Sequence, residues 1–294
     1  MKDALPMPDP TTSAIVCATG GFKGAFVSGV LDAFEAAGFG AGGYAGASSS
    51  VLPAAAAAVG QSQRLGLAHW LRGQQVMAQP KTNMSTMILS GIAQVRDWLP
   101  EKLFEPGRPR FVVAVSAVDQ AAAEETQGPG ARRRGRKLLL AAARGDRSWI
   151  DQHLALALFD TAALDERQRL SADNFEQVAY ASTRMLHAWD IPAWVDGRPY
   201  VDAYYTCACP VVQMLQLGFQ QVVAVATEPT LYRDIMQDRP IPASWRGRPI
   251  HVVRPKFDPA EKGVSYTTAS PEGLTAVYAH GQEQAAAFLA RFRV

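Results

Sequence analysis

The feature that most constrains this chain is an apolar run that enters a glycine turn without a break. Ala14-Ile15-Val16-Cys17-Ala18 is followed at once by Thr19-Gly20-Gly21-Phe22-Lys23-Gly24. Phe26, Val27, Val30, Leu31 and Phe34 then recur at helical spacing, and Gly38 supplies a stop. A buried strand, a glycine turn and a helix in that order gather free backbone N–H groups around one point. Such a point holds an anion without a side chain. The anion is either a phosphate or the oxyanion of an acyl transfer. The turn lacks the Gly-x-Gly-x-x-Gly spacing of a dinucleotide site and the Gly-Lys-Ser/Thr of a P-loop. A serine-containing turn at Gly46-Ala47-Ser48-Ser49-Ser50 favours the oxyanion.

At 294 residues with 48% hydrophobic content the chain can bury a large core, and no linker divides it, so residues 1–294 read as one domain. Helical and strand-like segments alternate, which predicts an α/β fold: a three-layer α/β/α sandwich around a mostly parallel sheet. The net charge of +2 gives no reason to expect nucleic acid as a partner. Cys17, Cys207 and Cys209 are too few for a disulfide framework, and no Cys/His set of zinc-like spacing accompanies them. Met1–Thr12 carries no apolar stretch of the signal-peptide kind and reads as a flexible terminus, and no window suits a membrane span. A soluble, cytoplasmic protein is the expectation.

Tyr44-Ala45-Gly46 predicts a second short strand, held by burial because its residues have little strand preference of their own. The helix over 51–59 accommodates Pro53 only if it starts near Ser49 or Ser50. Residues 62–110 read as helical, with an apolar face through Met84, Met87, Ile88 and Val95 that suits either core packing or an adaptable cover over an acyl chain. Phe111–Val118 is a central strand by type. Residues 120–137, with Gly128-Pro129-Gly130 and Arg132, Arg133, Arg134, Arg136 and Lys137, read as an exposed basic loop, either solvated or facing an anionic lipid surface. Helices are expected over 148–159, 171–186, 211–217 and 274–292, and strands over 221–226 and 250–253. Trp194–Val201 reads as a hairpin turning at Asp196-Gly197.

A serine on a tight strand-to-helix turn is exposed at the carboxyl edge of a sheet, near a helix N-terminus that favours negative charge. Any of Ser48, Ser49 and Ser50 also suits a plain helix cap. Taken together, three elements resemble the patatin-like phospholipase family. They are the loop Thr19-Gly20-Gly21-Phe22-Lys23-Gly24, the elbow Gly46-Ala47-Ser48-Ser49-Ser50, and Tyr200-Val201-Asp202-Ala203 with Pro210 following. The chain departs from the family pattern at Thr19, Ser50 and Ala203, where the family has glycine, and each substitute is small.

The resemblance implies a serine acyl hydrolase acting on lipid acyl esters, of phospholipase A or lysophospholipase type, that needs neither metal nor organic cofactor. Ser48 would be the nucleophile and Asp202 the general base. Gly20, Gly21, Phe22 and Lys23 would form the oxyanion hole, supported by Gly24, Gly46, Ser50 and Ala203. Asp196 competes for the base role but sits at a hairpin tip, where Asp-Gly is the ordinary turn choice. A triad of Ser48, Asp202 and His251 or His280 satisfies a hydrolase chain order, though neither histidine lies in a recognisable loop signature. The other readings are a relative that binds acyl lipids or anionic ligands without turnover, and a phosphate-ligand protein using the glycine loop.

Overall fold

A computed structural model of the chain describes residues 8–292. The first half comprises β1 (Ser13–Cys17), α1 (Ala25–Ala36), β2 (Gly43–Ala47), α2 (Val51–Ala58), α3 (Ser62–Met77), α4 (Met84–Val95), α5 (Leu99–Leu103), β3 (Arg110–Val118), α6 (Ala123–Gln127) and α7 (Ala131–Ala143). It continues through α8 (Ser148–His153), β4 (Leu154–Asp160), α9 (Phe175–Thr183), β5 (Trp194–Val195), β6 (Arg198–Val201), α10 (Val211–Gln216), β7 (Gln221–Val225), β8 (Ser244–Trp245), β9 (Arg248–Val253) and α11 (Pro271–Leu289).

The nine strands form one mixed sheet. Its centre, in the order β3-β2-β1-β7-β9, is parallel, and β4, β6, β5 and β8 add antiparallel edges. Strand alternation divides the core. Ile15, Cys17, Val223 and Val225 face α1, α2 and α11, while Ala14, Val16, Val222 and Ala224 face α10. Helices therefore cover both faces, as a buried parallel sheet requires.

Register explains how residues 154 positions apart come to meet. β4 occupies one edge of β3 from Val112 to Val118. On the other edge β2 pairs as far as Ala47↔Ala114, and β6 pairs at Ala117↔Tyr200 and Ser116↔Val201. β2 and β6 thus abut end to end and run toward each other, leaving a gap beside Val115. The next residue of β2 is Ser48 and the next of β6 is Asp202.

Three expectations need correction. Residues 120–137 are not a loop: α6 and α7 account for most of them, and Gly128-Pro129-Gly130 is the break between two helices. Ala131, Gly135 and Leu138 supply a buried stripe at helical spacing, too narrow to stand out among five cations. The span 148–159 is not one helix but α8 followed by β4. Its leucines and alanines have helix preference, which pairing along the whole of β3 overrides. Residues 9–12 are tied down rather than flexible, because Thr12 N donates to Asp9 O at 3.2 Å and Gln220 N to Thr12 O at 2.8 Å. The rest of that terminal expectation, residues 1–7, lies outside the described residues. No described helix is long and apolar enough to cross a membrane.

α1, which leaves the glycine turn, is clamped by α11. A Cβ on Gly29 would collide with the Tyr278 carbonyl, and one on Gly281 with the Phe26 carbonyl, so these helices approach backbone to backbone. Gly281→Ala is expected to destabilise the fold by about 1–3 kcal/mol through overpacking, measured by urea unfolding.

Candidate active site

Ser48 stands on the turn between β2 and α2 with φ at 54°, a left-handed conformation that non-glycine residues seldom adopt. The turn is held by its surroundings. Ser48 N donates to Ser182 Oγ at 2.8 Å, and Ser182 Oγ donates to Ala114 O at 2.7 Å, so a hydroxyl on α9 pins the elbow to β3. Gly46 is required by space, since a Cβ there would lie 2.7 Å from Val51 Cα. Ser50 is fully buried, and its Oγ donates to Ala18 O at 2.6 Å. That hydroxyl ties the elbow to the end of β1, where the glycine turn begins. None of the three serines makes a side-chain cap to α2.

Asp202 is 1% exposed. Its Oδ2 accepts from Ser48 Oγ at 2.8 Å and its Oδ1 from Tyr204 N at 2.7 Å. Ser116 Oγ donates to its carbonyl at 2.8 Å, and its own N–H donates to Arg184 O at 3.0 Å, so its backbone is fixed on both sides. Burial raises its pKa from 3.8 to about 7, against the two hydrogen bonds that favour the anion. Ala203 is buried without left-handed φ, so its methyl meets no backbone penalty.

In the glycine turn, the Gly20 and Gly21 N–H groups have no acceptor among the described residues. Both glycines line the same cleft as Ser48 and Asp202. A Cβ on Gly20 would sit 2.6 Å from Thr227 Cγ2. Gly21 has φ at +55°, and a Cβ there would strike the Tyr266 carbonyl. Gly24 allows Trp70 and Ser49 to approach, 2.5 and 3.2 Å from where its Cβ would be. Phe22 N instead donates to Tyr266 O at 3.3 Å and Lys23 N to Gly20 O at 3.0 Å, so neither N–H is free to meet an oxyanion. The Lys23 ammonium is buried between Glu228 at 2.7 Å and Asp258 at 2.9 Å. Burial opposes its charge, but the two carboxylates outweigh that and hold its pKa above the ordinary value. It braces the loop and is not free to attract an anionic head group.

Ser48, Gly21 and Trp189 line two adjoining spaces. One is an open cleft of about 490 Å³ bordered by α7, Tyr204, Met236 and Tyr266. The other is a narrow, mostly apolar pocket of about 40 Å³ between α3 and α4, walled by Met84, Met87, Leu52 and Ile92. The methionine face of α4 therefore does two things: it packs into the main core and forms a wall of this pocket.

The remaining candidates lie elsewhere. Asp196 is exposed at the β5–β6 turn, where it and Gly197 both have positive φ. His280 Nε2 accepts from Lys256 N, and His251 stacks edge-on to Phe288 and Phe292; neither lines the cleft. Cys17, Cys207 and Cys209 are free and buried. Ser182, Ser116 and Tyr204 belong to no motif in the sequence. The one signal for Ser182 is a hydroxyl set among apolar residues of a buried helix. A scan against protein-family models and a search of curated proteins each find no match to this chain.

The raised pKa of Asp202 has a stability consequence with a definite sign. Between 3.8 and about 7 the unfolded chain releases this proton while the folded chain keeps it, so Asp202 makes stability fall as pH rises through that window. Asp202→Asn, which keeps the acceptor for Tyr204 N, is expected to raise the melting temperature at pH 8 and to change it little at pH 4, as scanning calorimetry at the two pH values would measure.

Proposed function

We propose that this protein is a serine acyl hydrolase of patatin-like type, cleaving acyl esters of lipid character with a Ser48–Asp202 dyad. The observation that carries the reading is the 2.8 Å contact of Ser48 Oγ with a fully buried carboxylate, beside two unengaged backbone N–H groups. The left-handed elbow, the preceding glycine turn and the mostly parallel sheet support it.

A hydroxyl is a poor nucleophile until a base sits within reach, and a carboxylate with a pKa near 4 is a poor base. Burial brings Asp202 to about 7, where it is both substantially ionised and basic enough to accept a proton. As Ser48 Oγ bonds to the ester carbonyl carbon, its proton passes to Asp202. The carbonyl oxygen becomes an oxyanion opposite the Gly20 and Gly21 N–H groups, the two that remain available. Collapse of the intermediate breaks the bond to the alcohol, which leaves with the proton from Asp202. Water then attacks the acyl-serine, giving its proton to Asp202. A second collapse releases the acid and returns the proton to Ser48 Oγ. Each such oxyanion donor typically contributes about 10²–10³ in rate.

The cleft opens beside α7, whose Arg132, Arg133, Arg136 and Lys137 are exposed together with Leu139 and Leu140. Cations around exposed leucines at the mouth of a cleft suit peripheral contact with an anionic lipid surface, about 1 kcal/mol for each basic residue near it.

A fluorophosphonate probe is expected to label the wild type and not Ser48→Ala. With p-nitrophenyl esters, kcat/KM is expected to rise about tenfold per pH unit below about 7 and to level above it, the limb of an ionising base. Absence of labelling in well-folded protein would favour the non-hydrolytic binder instead. Sedimentation with vesicles is expected to recover more protein on phosphatidylglycerol-containing than on neutral phosphatidylcholine membranes, a difference abolished in Arg133→Glu/Lys137→Glu.

A further inference from the structure

On each side of the gap beside Val115 a serine hydroxyl stands where the strand pairing ends. Ala47 is the last residue of β2 to pair with β3, opposite Ala114. The next N–H, that of Ser48, reaches β3 through a side chain: it donates to Ser182 Oγ at 2.8 Å, and Ser182 Oγ donates to Ala114 O at 2.7 Å. Val201 is the last residue of β6 to pair, opposite Ser116. The Asp202 carbonyl that follows accepts from Ser116 Oγ at 2.8 Å, whereas Tyr205 N approaches it only to 3.4 Å. Both serines are fully buried.

The proton of each hydroxyl is committed, because a hydroxyl has only one. That of Ser182 goes to Ala114 O, so Ser182 meets Ser48 as an acceptor. That of Ser116 goes to Asp202 O, and Thr206 Oγ1 at 2.8 Å then donates to Ser116 Oγ. Neither serine lines the cleft or the pocket beside Ser48, so neither meets a substrate. Their effect reaches the site through Ser48 and Asp202.

What they do there follows from the backbone. A residue with φ at 54° holds that conformation only when its surroundings impose it. The Ser182 hydroxyl inserts one oxygen between Ser48 N and Ala114 O, which lets the chain leave the sheet at Ser48. Without it two buried backbone groups lose their partner, and they regain one by closing on each other. That closure draws Ser48 toward β3 and away from Asp202. Arg184 O, two residues beyond Ser182, accepts from Asp202 N at 3.0 Å, so the end of α9 seats both residues.

We propose, on the basis of the acyl-hydrolase reading above, that Ser182 and Ser116 are positioning residues. Their hydroxyls take the place of the next rungs of the sheet and set the Ser48–Asp202 contact on which acyl transfer depends.

The test replaces each serine by cysteine, which keeps the volume but hydrogen-bonds weakly. Each cysteine variant is expected to lower kcat for a p-nitrophenyl ester, and the rate of fluorophosphonate labelling, by about tenfold or more with KM nearly unchanged. Ser182→Thr, which keeps the hydroxyl, should recover labelling relative to Ser182→Ala. A second readout needs no turnover: the carboxyl titration of Asp202 by ¹³C NMR, its signal identified by loss in Asp202→Asn. The bond from Ser48 favours the ionised carboxylate, so a Ser48 that has moved away leaves Asp202 titrating at higher pH, as it should in Ser48→Ala. A midpoint that stays at the wild-type value in a cysteine variant, or a kcat equal to that of the wild type, overturns the assignment of that residue. Shifted midpoints in a protein whose wild type neither labels nor turns over would overturn the hydrolase reading and leave the positioning of the contact standing. Wild-type turnover with unmoved midpoints does the reverse.

Discussion

A carboxylate removed from water with no cation beside it is the constraint around which this molecule is arranged. Asp202 has two hydrogen-bond donors to its side chain, one from Tyr204 backbone and one from Ser48 hydroxyl, and burial still leaves its ionised form costly. That cost is what makes it basic near neutrality. The nearest obvious remedy would be a lysine, and Lys23 lies in the adjoining loop. Glu228 and Asp258 claim that ammonium instead, so the loop gains rigidity and Asp202 keeps its raised pKa. Electrostatics and mechanics are separated in this way: one buried charge is paired and holds a backbone, and another is left poorly paired with a raised pKa.

Much of the arrangement was legible in residues 13–50, because strand, glycine turn, helix and elbow follow one another locally and each leaves a compositional mark. Asp202 was legible too, as an acid at the end of an apolar pair, preferred over Asp196 because Asp-Gly is the ordinary choice at a hairpin tip. The loop's donors were legible only in part. Sequence spacing cannot tell that Tyr266, more than 240 residues on, occupies the Phe22 N–H, or that Lys23 N closes back on Gly20. The elbow's anchor, Ser182, carries no pattern at all, since its role comes from what it touches across the fold.

The errors in reading secondary structure share one cause. Leu154–Asp160 has the composition of a helix and becomes a strand because β3 offers it seven consecutive partners. Residues 131–137, within the span 120–137, look like a solvated loop because the buried stripe of their helix is one side chain wide. In both, tertiary packing decided between conformations that local preference ranked the other way. The departures at Ser50 and Ala203 belong beside these. Each position tolerates a side chain because the backbone there is not left-handed, and Ser50 uses its hydroxyl to bind the end of β1.

The meeting of β2 and β6 head-on along a single edge of β3 has one more implication. A strand advances about 3.3 Å per residue, so a slip of either strand by one position would displace Ser48 from Asp202 by more than a hydrogen bond can span. β6 is aligned by only two paired residues, Tyr200 and Val201. The Ser48–Asp202 contact thus behaves like a vernier scale for the sheet: a misalignment in a short hairpin would turn the buried Tyr200 and Val201 to the wrong faces and be read out in full where the two strands meet.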